Sequence, residues 1–496
     1  MAKRIKSRRK QCKRKLINGR TLINGRTLIN SRNLKTRRRR NKHFYKVKGG
    51  DLDEQAKQVV EQNLANRDVN RSKWLQVACK NPDNCLALGA YGDSIKQYFD
   101  NFQNFAYLDQ SKLKRIGSPS ANGFIIEMPF TKNGYTAYTA LKCSAKATAD
   151  NLMYEYIVGK RFINKQLKKF PLFLETYDLY EYVDDTSYEN VKTAVSNNTL
   201  NTMDIPSSIQ KVNVDDIDIK NIQPYKLWQI IGDACSKNKR LCMSIQHFDN
   251  FTPVGDHVEN NQMWGDFKGD FLPLLFQIYF VLNELRDVYT HYDLHLDNVM
   301  MYKPFEGKKC ILMRYHMTYD NKVMEFKSEY IPKIIDYGRN YFDDGTITSN
   351  LVITGSCSAQ QCRPKCGENV GFEVISNTMV TGKPYLYYWI DPSKRNMSHD
   401  LRFANSLNDI LPVFTNPKTK ISSIIYDDEF GTRELLTYKK GEIHNVADMI
   451  SVLKSNPTVM ANVLNNVKYD STWETVATMD VYDNGRDYEF VVLPAN

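Results

Sequence analysis

The sequence predicts an α+β fold in two lobes, a small β-rich lobe followed by a large helical lobe, behind a disordered basic tail. Three observations carry this. Tyr138–Cys143 and Leu241–Gln246 have strand character and precede the long apolar run Phe271–Leu285, which reads as a buried helix. Two polar turns, at 291–298 and 336–338, each adjoin an apolar strand-like run. Charge is also divided: residues 1–48 hold 20 Lys plus Arg and no acid, while the remainder has 48 basic and 56 acidic residues, a net of −8.

In chain order, the tail (1–48) contains Leu16-Ile17-Asn18-Gly19-Arg20-Thr21, repeated at Leu22–Thr27 and in part at Leu28–Arg32, and ends on Arg37-Arg38-Arg39-Arg40. So short a repeat builds no core of its own. It reads as a solvated segment suited to nucleic acid or another anionic partner, or to nuclear targeting. Residues 49–108 read as a helical extension, with helices at Asp51–Val69, Trp74–Cys79 and Ser94–Leu108. The small lobe spans 109–250, with a polar insertion at 183–235 and the large lobe at 251–496.

Within the small lobe, Gly117, Ser118, Ser120 and Gly123 form a small-residue loop where backbone amides approach a phosphate, although only Gly123 keeps the register of a glycine-rich G-x-G-x-x-G loop. The following strand presents Lys142. Asp150–Gln166 reads as a helix capped by Asp150 and carrying Glu155, thirteen residues beyond Lys142, to pair with it. A strand is expected near Phe170–Tyr177, and Gln246 with His247–Asp249 reads as the segment that meets an adenine ring.

The chemistry lies in His291-Tyr292-Asp293-Leu294-His295-Leu296-Asp297-Asn298. Phosphoryl transfer needs a carboxylate to orient the attacking hydroxyl and take its proton, and oxygen ligands for magnesium. Asp293 suits the first task and Asn298 the second, at the spacing of H-R-D-L-x-x-x-N, with Tyr292 in place of Arg and His295 between the two. Forty-three residues beyond Asp293, Pro332-Lys333-Ile334-Ile335-Asp336-Tyr337-Gly338 delivers Asp336 from a strand as a second magnesium ligand. The long gap fits an extended hairpin, Cys310–Tyr319 with Val323–Tyr330. After it, 341–385 occupies the place of an activation segment, with no Ala-Pro-Glu to close it. Asp400 suits either a brace for the 291–298 backbone or a helix-start acid favoured by the dipole. ATP and Mg2+ are the cofactors this set implies.

Other classes are excluded or open. No apolar run reaches the roughly 18–20 residues of a membrane span, and Phe271–Leu285 is interrupted by Pro273, Gln277, Asn283 and Glu284. No signal-peptide pattern is present, so the ten cysteines are expected as reduced thiols. Cys357, Cys362 and Cys366 have metal-like spacing without a fourth ligand nearby.

Taken with Asn84–Gly89, Ile95–Phe99 and Asn151–Asn164, the motifs His291–Asn298 and Ile335–Gly338 resemble the serine/threonine protein kinases of large nucleocytoplasmic DNA viruses, iridoviruses especially, over about residues 75–410. The resemblance implies a protein-kinase-like fold, ATP and magnesium, Ser/Thr hydroxyls on proteins as acceptors, and a place in the host cytoplasm or the virion, or in the nucleus through the tail. Two other readings stay open: a small-molecule kinase of the aminoglycoside or choline type, which His295 suits, and a catalytically inert scaffold with a nucleic-acid-binding tail.

Overall fold

The computed structural model describes residues 75–76, 78–79, 85–103, 105–117, 122–214, 234, 236–259, 269–349, 399–401, 403–404, 445–455 and 468–494, with strand segments at 16–17, 20–23, 26–28, 376–380 and 383–386. The chain divides into two units, Met1–Asn70 and Arg71–Asn496. In the first, successive copies of the repeat pair as short antiparallel strands, Leu16–Ile17 with Arg20–Ile23 and Arg20–Ile23 with Arg26–Leu28.

The second unit mixes helices and strands around a six-stranded antiparallel sheet. Helix α1 (Gly89–Tyr98) is followed by β1 (Lys114–Ile116), β2 (Gly123–Lys132), β3 (Tyr135–Ser144), α2 (Leu152–Val158) and β4 (Thr176–Tyr182). Then come α3 (Asp185–Asn197), α4 (Ile205–Ser208), β5 (Ile209–Lys211) and β6 (Leu241–Gln246). The sheet order is β1-β2-β3-β6-β4-β5. The β2–β3 hairpin runs from Gly123↔Ser144 to Lys132↔Tyr135, which puts Lys142 opposite both Ile125 of β2 and Met243 of β6. A Cβ at Gly123 would press on the Cys143 carbonyl, so the residue is needed by the hairpin itself.

The remaining elements continue in order. They are β7 (Phe251–Pro253), α5 (Val254–Glu259), α6 (Phe271–Glu284), β8 (Tyr289–Thr290), β9 (Val299–Tyr302), β10 (Lys309–Met317) and β11 (Lys322–Ser328). After them come β12 (Ile331–Ile334), β13 (Tyr341–Phe342), α7 (Val446–Ser455), β14 (Glu474–Tyr482) and β15 (Glu489–Val492). In α6 every residue from Phe271 to Leu282 is buried, and Phe276 and Phe280 meet Tyr315 edge-on at 5.3 and 4.9 Å. The expected hairpin is β10–β11, and β14 joins it in parallel from 164 residues away. Among the described residues no helix is long and apolar enough to cross a membrane.

Several elements differ from their sequence expectation. The helix expected at Ser94–Leu108 starts at Gly89 and stops at Tyr98, because Asp100, Asn101 and Phe102 take positive φ and stack Phe102 on Phe99. The strand expected at Phe170–Tyr177 begins only at Thr176: Phe170–Leu174 instead plugs the core, and the buried Lys333 ammonium donates to the Pro171 and Phe173 carbonyls. Helix α2 is capped by Asn151, not Asp150, with Asn151 Oδ1 accepting from the Met153 and Tyr154 amides at 3.0 and 3.2 Å. The helix runs on through a π-turn at Gly159–Ile163, where a Cβ on Gly159 would overlap the Thr176 side chain. Much of the polar insertion is built in, since α3 buries Tyr188, Val191, Ala194 and Val195 and β5 pairs with β4. Cys79 and Cys85 form a disulfide, against the expectation of reduced thiols, because the Leu86 amide bonds the Ala78 carbonyl and folds the six-residue span back. Cys143, Cys242 and Cys310 are free and buried. Asp51–Val69 and the trio Cys357, Cys362 and Cys366 lie outside the described residues.

Candidate active site

Strand β3 and helix α2 bring Lys142 and Glu155 together as the sequence predicts. Lys142 Nζ is 2.8 Å from both Glu155 carboxylate oxygens and 3.1 Å from Asp336 Oδ1. Burial alone would lower the Lys142 pKa, but the Asp336 and Glu155 charges outweigh it and hold the ammonium above its ordinary range. Burial would likewise raise Asp336, yet the Lys142 and Arg339 charges hold it below the usual carboxylate range. Glu155, nearly sealed, is pushed up by burial against the pull of Lys142, with repulsion from Asp336 and Asp150 added. One lysine shared between two carboxylates cannot satisfy both equally.

The 291–298 loop is held from three sides. Both Asp400 carboxylate oxygens accept from the His291 amide at 3.0 Å, and Oδ1 accepts from the Tyr292 amide at 3.1 Å. Asp400 thus braces the loop backbone, from the first turn of the short helix His399–Leu401. The His291 ring is fully buried, with Nε2 at 2.9 Å from the Ile335 carbonyl and Nδ1 accepting from the Asp293 amide at 3.2 Å. Those partners fix the neutral tautomer, and burial takes its pKa down to about 4. Asn340 Nδ2 donates to the His291 carbonyl at 2.7 Å, and Tyr289 donates to Asn340 Oδ1 at the same distance.

At the loop's end, Asn298 Nδ2 donates to the Asp293 carbonyl at 2.8 Å, and the Ile335 amide donates to the Asn298 carbonyl at 3.0 Å. The donor end of the Asn298 amide is therefore spent on the loop, and its oxygen is the end suited to a cation. Strand β12 pairs with β9, so Asp336 emerges beside Asn298. Tyr292 and Asp336 both have positive φ, 64° and 67°, which costs non-glycine residues about 1–3 kcal/mol each. Strain at these two positions is a mark of a functional turn. Tyr337 is buried, with its hydroxyl donating to the Ile334 carbonyl and accepting from the Leu174 amide, both at 2.9 Å.

Asp293, Lys142, Arg339 and Asp336 keep 15, 20, 26 and 33% of their side chains exposed, so this cluster is partly open to solvent. Other predicted residues stand apart from them. His295 is 30% exposed, and its Nδ1 accepts from the Asp297 amide at 3.3 Å. Gln246, at the end of β6, bonds the Glu175 amide and the Ala87 carbonyl, away from the Lys142 cluster. Gly117 has φ +71° ahead of the loop; Ser118 and Ser120 lie outside the described residues.

The sequence reading gave Asp150 only a capping task and passed over Asn122 and Arg339. Arg339 Nη2 is 3.4 Å from Asp150 Oδ2 and its Nη1 is 3.4 Å from Asp293 Oδ2. Asp150 also accepts from Asn122 Nδ2 at 3.3 Å. The signal available for Arg339 was its place directly after Asp336-Tyr337-Gly338.

No family model matches the chain, and no curated protein matches it. Solved structures with local similarity include a crystallised kinase domain, at 12% identity and TM-score 0.23, covering 46% of this chain and 50% of that one. WaaP in complex with acyl carrier protein matches at 8% identity and TM-score 0.23, covering 52% and 73%. A MAP kinase from Leishmania major matches at 10% identity and TM-score 0.21, covering 50% of each chain. The chain thus spans about half the length of the two kinases and about three quarters of WaaP. Likeness at these TM-scores is too slight to assign a fold.

Proposed function

We propose that the chain is an ATP- and magnesium-dependent phosphotransferase with a two-lobed, protein-kinase-like fold. The observation that carries this reading is Lys142 held between Glu155 and Asp336, with Arg339 reaching from the same turn to Asp293 and Asn298 bonded to the Asp293 carbonyl. Lys142 suits the ATP α/β-phosphates, with Glu155 holding its ammonium in place. Asn298 and Asp336 are an oxygen pair of the kind magnesium takes. The cluster also fits such an ion by charge: Lys142 and Arg339 face four carboxylates, Glu155, Asp336, Asp150 and Asp293. Magnesium bound there supplies charge against the phosphates.

In this reading Asp293 orients the acceptor hydroxyl and takes its proton. Neutral His291 fixes the Asp293 backbone, and Asp400 fixes the backbone before it. The acceptor class we assign is protein Ser/Thr hydroxyls in a viral setting, on the resemblance of the 291–298 and 335–338 motifs. The basic tail we assign to phosphate-rich partners.

The test is transfer of radiolabelled phosphate from ATP with magnesium to a mixed panel of proteins and small hydroxyl compounds, beside Asp293→Asn. Label on protein that the variant loses is the expected result. Label on small molecules alone moves the acceptor class, and equal labelling by the variant removes Asp293 from its role.

A further inference from the structure

Arg339 has no task in the reading above, yet its position is specific. It leaves the Asp336 turn and sets its two terminal nitrogens on different acids, Asp293 of the loop and Asp150 ahead of α2. Asp150 is held in turn by Asn122, at the entry to β2. A polar chain Asn122–Asp150–Arg339–Asp293 therefore joins the segment that precedes β2 to the loop acid. Asp150 is an uneasy partner: burial raises its pKa, and Asp336 and Asp293 repel its charge while Arg339 offsets it.

Resting on the phosphotransferase reading, we propose that Arg339 is a catalytic residue that binds the γ-phosphoryl group, with Asp150 as the anion it holds until a phosphate replaces it. A planar guanidinium with five donors matches phosphate oxygens better than it matches two carboxylates set apart. In the step itself the acceptor oxygen bonds to the γ-phosphorus. The bond from that phosphorus to the β–γ bridging oxygen breaks, leaving its electron pair on ADP, and the hydroxyl proton passes to Asp293. Arg339 keeps its protons and charge throughout and stabilises negative charge on the transferring oxygens.

The competing role is a brace that ties Asp150 to Asp293 without touching nucleotide. Equilibrium binding of ADP and of a non-hydrolysable ATP analogue, each with magnesium, separates the two. The full-length protein is compared with Arg339→Ala, Arg339→Lys and Asp150→Asn. We expect Arg339→Ala to weaken the analogue about tenfold to a hundredfold, the size of a lost charged hydrogen bond, and ADP by less than about twofold. Arg339→Lys should fall between, and Asp150→Asn should tighten the analogue by removing its competitor. Equal weakening of both nucleotides, or no change in either, overturns the proposal. If Arg339→Ala does not fold, a wild-type analogue-to-ADP ratio in both other variants overturns it. Wild-type protein that binds neither nucleotide overturns the phosphotransferase reading and this proposal together, whereas binding with an unmoved ratio removes only the role of Arg339.

Discussion

In the candidate site, Lys142 and Arg339 stand among Glu155, Asp336, Asp150 and Asp293; at the start of α6, Lys468 and Lys303 stand against Asp270 and Glu329. The first cluster has two cations for four carboxylates and opens to solvent. The second has two for two, with the Asp270 and Glu329 side chains only 1 and 4% exposed. Tyr469 completes it, its hydroxyl donating to Asp270 and accepting from the Glu329 amide at 2.8 Å. A balanced, sealed cluster with every acid bonded is a clamp. A surplus of acids at a solvent-facing edge is suited to a cation brought from outside.

Substitutions in the two clusters should therefore fail in different ways. The largest effect is expected from Asp336→Asn, which should cut phosphate transfer about 10²–10³-fold. Its melting temperature should stay near the wild-type value, because the change relieves part of the acid surplus. Calorimetry beside the transfer assay checks this, and a melting loss as large as that of Lys468→Met would erase the distinction. Lys468→Met comes next: removing the shared cation from buried acids should cost about 3–5 kcal/mol of stability, read from urea unfolding. Nucleotide affinity of the folded protein should be unchanged, and a normal urea midpoint would show that the second cluster is no clamp.

A ligand sharpens the contrast further. A magnesium–nucleotide analogue at 100 times its dissociation constant should stabilise the wild-type protein by about 2.7 kcal/mol. Lys142→Met should abolish that gain and Lys468→Met should keep it, both read by thermal shift.

The smallest effect is in pH, where two single groups, His291 and Asp270, pull in opposite directions. His291 titrates at about 4 in the fold against an ordinary 6.5, so the folded chain holds fewer protons in that window and rising pH stabilises it. Asp270 is raised by burial, against the pull of Lys468, from 3.8 to about 6, so the folded chain holds more protons there and rising pH destabilises it. Their contributions offset one another between about pH 4 and 6. Asp270→Asn removes one of the groups that lose stability as pH rises, so the slope of stability against pH should become more positive across that window than in the wild type. Urea midpoints that move in parallel for the two proteins would discount the Asp270 shift.

That Asp293 and Asn298 share one loop was legible from their five-residue spacing, and the turn at Asp336 was legible from the apolar strand that precedes it. Lys142 and Glu155 were legible because a strand and a helix thirteen residues apart can meet in few ways. Asp150 was assigned to the wrong task, since a cap and a site acid look alike in sequence and only the neighbouring Asn151 decided between them. Arg339 was missed because its one signal, a place directly after Asp336-Tyr337-Gly338, says nothing of the two acids that its side chain reaches. Strand β14 has readable alternation, but nothing local announces a parallel partner some 165 residues upstream. The Cys79–Cys85 bond depends on a backbone turn that six-residue spacing does not reveal.

The hydrogen bond from the Gly89 amide to the Tyr488 hydroxyl, at 2.7 Å, spans 399 residues, and Tyr91 meets Phe490 beside it. During synthesis this contact is completed very late. At ~5–20 residues per second, about 20–80 s separate the emergence of its two halves. Through that interval α1 waits without the strand that covers it. The order in which the ribosome releases the chain thus leaves an apolar helix face for chaperones to guard until β15 arrives.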